Sequence, residues 1–416
     1  MKQGGFLLSV GLCLLARLAA AGIEGGMHDA EWFKMSDKIL VLEYENPLGG
    51  SEGVQLSQLI GRMALGTTRG LGNLAVITLR QTAERVTLDE ANIKALAERQ
   101  RAPVVIWGEF YRQEGRVFVT SHLRYSPNLQ LVNSLPNTGP NSAKFSWEIS
   151  QPGILQRTIA YASLPSAQIN FAPIQISIGD LSSLQEVWKK TVTIRAEPNE
   201  SAEKRGELEL DRPYFVGESA NGWSVVATGN RRGWVRLADL SEVTDFQAFT
   251  GLVLYAQGLM QHLTNNPRVA TQTFTRYLEK YASGQDPMNK AVAHLFAGYS
   301  AMKASSSLEL PFNEFQQAKA LLPNSAAPIN CLALAFFAKA KRSPPNENET
   351  LALEKDLIRA VQTENDVDAI RNLGILYRLP NAEAHFQNKS PTFLQDRETQ
   401  LMLLGNLERQ AQDKLD

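Results

Sequence analysis

Cysteine is almost missing from this chain of 416 residues, which has only Cys13 and Cys331. Cys13 lies in an apolar leader, so removal of that leader leaves Cys331 alone and excludes an intramolecular disulfide framework. An excess of charge of one sign is missing too. The chain has 42 basic and 43 acidic side chains and a formal charge of -1, so no global field selects nucleic acid or an anionic membrane, and partners must be recognised locally. Long apolar runs are absent: the run Phe6–Leu15 is shorter than the roughly 20 residues needed to span a bilayer, and Arg17 follows it. Reaction signatures are missing as well. His28, His122, His262, His294 and His385 are scattered, with no H-E-x-x-H, no cysteine cluster and no G-x-S-x-G. The expectation is a chain with no catalytic residues, no metal site and no cofactor.

What is present begins with Lys2, the apolar segment and the small residues Ala19, Ala20, Ala21 and Gly22. A basic start, a short greasy segment and an A-x-A site make a secretory signal, so residues 1–21 are expected to be cleaved and the protein to be periplasmic or secreted. Retention of this segment as an anchor is the alternative. A length of 416 residues exceeds what one core supports, and the expected fold class is multi-domain α+β.

Residues 38–182 alternate elements. Ile39-Leu40-Val41-Leu42, Leu74–Leu79 and Pro103–Gly108 have strand character, and the stretches around Leu56–Met63 and Asp89–Gln100 have helical spacing. Glu114-Gly115 between two alternating runs predicts a hairpin. This order, with Val41-Leu42-Glu43-Tyr44-Glu45-Asn46 and Ala102 to Phe110, resembles the TolB amino-terminal domain and the related CsgG-like and FlgO-like envelope domains. The resemblance implies a protein-interaction module, and membership in a secretion, motility or surface-organelle assembly as one alternative function.

Three local features in this region invite chemistry. Gly66-Thr67-Thr68-Arg69-Gly70-Leu71-Gly72 is glycine-rich, but it lacks Gly-Lys-Ser/Thr and precedes a strand, so it reads as a plain loop. His122 lies beside Ser121 and within twenty residues of Glu109, yet strand alternation alone accounts for its place. Glu109 near Trp107 is the carboxylate a cell-wall hydrolase would use, which keeps an enzyme as a further alternative. Residues 126–166 are rich in Pro, Asn, Ser and Gly and read as a long excursion or loop.

Residues 188–242 hold five short alternating runs, starting at Val192-Thr193-Ile194-Arg195 and ending at Leu240. A small closed β-barrel hides the edges of such strands. Ile194-Arg195-Ala196-Glu197-Pro198, Asn221-Gly222-Trp223-Ser224-Val225-Val226 and Gly233-Trp234-Val235-Arg236 resemble a bacterial SH3 domain. The chain departs from that family's pattern at Thr193, where Asn is common, and at Asp211 and Arg212, where Gly is common. The resemblance implies cell-wall peptides or envelope proteins as partners. Tyr214, Trp223 and Trp234 are the candidate binding residues, because aromatics on a small barrel form a shallow peptide groove. The same tryptophans also suit the core of so small a barrel.

From Phe246 to Asp416 the spacing turns helical, and Pro287 and Pro323 recur near the tetratricopeptide period of about 34 residues. Asn372-Leu373-Gly374-Ile375-Leu376-Tyr377 resembles the first helix of such a repeat, which implies a short α-helical solenoid. Cys331, on the apolar stretch Cys331–Phe337, is expected to be buried and inert. The function expected from these three modules is that of an exported, non-enzymatic adaptor taking an envelope protein or a peptidoglycan peptide.

Overall fold

A computed structural model describes residues 37–46, 52–67, 74–79, 90–100, 102–125, 144–149, 158–165, 168–181, 191–209, 215–228, 231–240, 247–305, 307–343, 346–377 and 379. The signal-like segment 1–21, Tyr214 and residues 68–72 of the glycine-rich stretch lie outside them. The protein is mixed α+β. It divides into two compact units, residues 1–138 with 168–265 and residues 139–167 with 266–416.

The first unit holds two sheets. In the larger, β1 (Asp37–Leu42) runs parallel to β2 (Leu74–Leu79) and to β3 (Val104–Gln113), β3 is antiparallel to β4 (Arg116–Tyr125), and both β7 (Gln168–Asn170) and β8 (Ile174–Ser177) pair with β4. Ile39 to Leu42 are buried without alternation, as a parallel strand covered on both faces requires. Helix α1 (Glu52–Thr67) turns Leu56, Leu59, Ile60 and Met63 inward, and α2 (Glu90–Gln100) follows β2. The β3–β4 connection is a two-residue turn with Glu114 and Gly115 both at positive φ, the hairpin expected from Glu-Gly.

The smaller sheet has the order β10-β9-β13-β12-β11, from β9 (Thr191–Arg195), β10 (Lys204–Glu209), β11 (Phe215–Ala220), β12 (Trp223–Thr228) and β13 (Arg231–Arg236). Asn221 and Gly222, at φ 52° and 79°, make the second two-residue turn. One face carries a small core of Val192, Ile194, Leu208, Val226 and Val235, with Leu240 of the short helix α3 (Leu237–Leu240) against it. Gly233 lets β13 approach β9, since a Cβ there would lie 2.4 Å from the Arg195 carbonyl oxygen. Helix α4 (Thr250–Leu263), whose spacing starts the helical part of the sequence, groups with this first unit; Tyr255 is fully buried and meets Phe171 edge to face.

The second unit is a series of helices, α5 (Pro267–Lys280), α6 (Pro287–Ala304), α7 (Glu309–Leu321), α8 (Ala326–Ala340), α9 (Glu347–Glu364) and α10 (Val367–Tyr377), each packed on the next. Their starts are written locally. Asp286 caps α6 ahead of Pro287, Ser325 caps α8, and Asn346 caps α9 by accepting from the Glu349 N–H at 2.8 Å. Asn365, in the left-handed region, closes α9. Helix α8 buries nearly every residue and α6 most of its own, whereas α7 and α9 keep polar outer faces and are joined by the Lys319–Asp356 ion pair.

The excursion 126–166 carries an element that its composition hid. Strands β5 (Lys144–Ile149) and β6 (Thr158–Ser163) form a two-stranded antiparallel ribbon belonging to the helical unit. Phe145, Ile149, Ala160 and Ala162 face inward and are buried. Such a ribbon is only marginally stable alone in water, so its order here comes from α6, α8 and α10, which line it. Cys331 is fully buried in α8, in keeping with an inert thiol, and burial pushes that thiol well above its ordinary pKa.

Candidate binding pocket on the five-stranded sheet

Alternation along β9 sends Val192 and Ile194 into the core and leaves Thr191, Thr193 and Arg195 on the other face. The register extends that second face across the sheet. Arg195 stands opposite Trp234, Trp234 opposite Val225, and Trp223 opposite Arg236. Both tryptophans therefore lie on the face away from the small apolar core, and the core is filled by branched aliphatic residues instead. Strand β12 is buried on both faces, so Trp223 keeps only 9% of its surface exposed, while Trp234 is half-buried.

The face opens into a cavity of about 360 Å³ lined by Thr191, Thr193, Arg195, Glu200, Trp223, Arg236 and Asp239, with Val192 behind. Arg236 organises it. Its Nε and Nη2 donate to the two carboxylate oxygens of Asp239, each at 2.9 Å, and its Nη1 donates to Glu200 at 2.8 Å. The two-point fork fixes both planes, and the Asp239 carboxylate raises the Arg236 pKa further. Arg195 donates one N–H to the Ala202 carbonyl at 2.9 Å, which leaves its other donors for a ligand.

The lining thus combines two cations, two carboxylates, two hydroxyls and an indole. Both carboxylates are engaged on one guanidinium, an arrangement suited to recognition of a polar ligand with charges of both signs. Of the residues expected to bind, the structure brings Trp223 to this cavity and places Trp234 on the same face next to Arg236 in the strand. Arg195, Glu200, Arg236, Asp239 and the two threonines did not stand out in the sequence. The alternation Thr-Val-Thr-Ile-Arg could have singled out the face, but its partners come from the register.

The other residues singled out in the sequence lie outside the lining of this cavity. Glu109 is exposed at the point where Trp107 is buried. Ser121 and His122, as strand neighbours, point to opposite faces: the Ser121 hydroxyl accepts from the buried Tyr44 hydroxyl at 2.9 Å, and His122 Nδ1 meets Asn170 Oδ1 at 2.8 Å. Among the described residues, no group of His, Cys, Asp and Glu could hold a metal ion, and no helix is long and apolar enough to cross a membrane. No family model matches the chain, and neither a curated protein nor a solved structure matches it.

Proposed function

We propose that this protein is an exported, non-enzymatic adaptor of the bacterial envelope. In this reading the five-stranded sheet acts as an SH3-like peptide-binding barrel, and the carboxy-terminal helices as a tetratricopeptide-like solenoid. The observation that carries the reading is the placing of Trp223 beside Arg195, Arg236, Glu200 and Asp239, on the face that the small core does not use. A cavity of that volume with both charge signs suits a short peptide carrying carboxylate and ammonium groups, as cell-wall peptides do. The threonine hydroxyls supply neutral hydrogen bonds, and the indole supplies apolar contact at low entropic cost. The leader of the sequence supports export to the compartment where such peptides occur.

Retention on purified peptidoglycan sacculi tests the reading, with the wild-type chain beside Trp223→Ala and Arg195→Gln variants whose folding is checked by circular dichroism. Retention of the wild type and its loss in both folded variants is expected. No retention, with a protein partner recovered equally by all three forms, would remove the pocket from the function and transfer it to the flanking elements.

A further inference from the structure

Charge is unevenly divided within the cavity on the five-stranded sheet. Arg236 meets Asp239 through two bonds and Glu200 through a third, so this group of three side chains carries one negative charge in excess. Arg195 meets only the neutral Ala202 carbonyl among the described residues, and its positive charge has no carboxylate bonded to it. Trp234 stands opposite Arg195, and Arg236 follows two residues along the same strand. The two arginines are therefore diagonal neighbours, about 7 to 8 Å apart at the backbone. The cavity has a positive and a negative pole side by side, which a ligand of one charge cannot satisfy together.

A third group is open as well. Trp223 lines the cavity and keeps only 9% of its surface exposed. Its indole N–H, which can only donate, meets no acceptor among the described residues. A buried donor costs free energy until a partner meets it. The volume of about 360 Å³ lies at the small end for ligand sites, which suits one terminal residue and not a length of strand.

We infer that the cavity takes the carboxy-terminal residue of a peptide ending in a side-chain amine. The inference rests on the reading of this cavity as a peptide site and names the part of the peptide that enters it. Arg195 takes the free terminal carboxylate, whose two oxygens match the guanidinium fork. Glu200 and Asp239 take the ammonium, since each carboxylate has acceptor sites beyond those that Arg236 uses. A lysine-like stem of four carbons spans the separation of the two poles. The Trp223 N–H takes a backbone carbonyl of the peptide. An internal residue fails at the first step, because its backbone carries no carboxylate.

Fluorescence anisotropy with the full chain tests this, using an amino-terminally labelled peptide of three alanines and a final lysine. Three forms are compared: the free acid, the carboxy-terminal amide, and the free acid with the lysine amine acetylated. The free acid is expected to bind about tenfold or more tightly than either other form. Arg195→Gln, shown to be folded by circular dichroism, should bind acid and amide alike and still reject the acetylated form, and Glu200→Gln should narrow the acetyl preference and keep the acid preference. Equal binding of acid and amide by the wild type, lost in Trp223→Ala, would overturn the inference and leave the cavity as a peptide site. No binding of any form would overturn it as well, and would remove the peptide reading only if retention on sacculi were also absent. Displacement of the probe by free lysine as readily as by the unlabelled peptide would make this an amino-acid site and overturn the inference too.

Discussion

Asn372 and Tyr161 share two hydrogen bonds, with the amide of the helix residue spanning the backbone N–H and C=O of the strand residue at 3.3 and 2.7 Å. A side-chain amide here takes the place of a neighbouring strand. The bond ties ribbon stability to helix stability, because Asn372 is fully buried and has no water to fall back on.

Replacing Asn372 by Leu keeps the branching of the side chain, adds volume, and orphans both Tyr161 backbone groups and Asn330 Oδ1. Each orphaned buried group costs about 1 kcal/mol or more, so a loss of about 3 kcal/mol is expected in urea unfolding. Tyr299→Phe keeps the ring stack on Phe145 and removes one hydroxyl, with an expected loss of about 1 to 2 kcal/mol. A null effect for Asn372→Leu would mean that the ribbon is not held as described.

Gly233→Ala places a methyl group 2.4 Å from the Arg195 carbonyl oxygen and 2.6 Å from Cγ2 of Ile194. Backbone cannot yield as a side-chain tip does, and a cost of about 3 kcal/mol is expected, at the upper end for overpacking. Since β9 and β13 also frame the pocket, ligand retention should fall with it.

Asp366 caps α10 through the Ala369 N–H and accepts from Asn330, yet burial is the largest influence and raises its pKa above the ordinary carboxylate value. A raised folded pKa means that the folded state binds the proton more tightly, so this group's contribution weakens as pH rises through the folded value and recovers toward the unfolded one. The stability of wild type relative to Asp366→Asn should therefore increase as pH is lowered from about 7 to about 4, read as the difference of their urea midpoints. An unchanged difference would refute the assignment.

Cys331 lies in the centre of α8 with its thiol pushed up by burial. It should resist iodoacetamide in the native protein near pH 8 and react in urea, as read by mass spectrometry of its peptide. Rapid native labelling would indicate that the helical unit opens locally.

Arg236→Gln removes the fork to Asp239 and the bond to Glu200 at an exposed position. Unfolding should change little, because exposed ion pairs contribute little. Binding to sacculi should be lost if the pocket takes peptide, which separates recognition from stability.

Much of the local architecture was legible from residue order. Ile39–Leu42, the Glu114-Gly115 and Asn221-Gly222 turns, and the caps Asp286-Pro287 and Asn346 act within a few residues of themselves, so their signals lie in adjacent letters. The ribbon did not show, because its partners lie elsewhere in the chain and its flanks are rich in Pro, Asn and Ser. Trp223 and Trp234 could be placed in strands but not on a face, since alternation leaves two faces and only the packing of Val192, Ile194, Leu208, Val226 and Val235 says which one is core.

The sequence by itself determined the strand at Ile39–Leu42, the helical spacing around Leu56–Met63 and the hairpin turn at Glu114-Gly115; each depends on short-range geometry. Tertiary structure alone decided that Arg195, Glu200, Trp223, Arg236 and Asp239 share one cavity and that Tyr299 and Asn372 grip the ribbon. Such sites are built by strand register and helix packing between residues far apart in the chain, and no local pattern encodes that pairing.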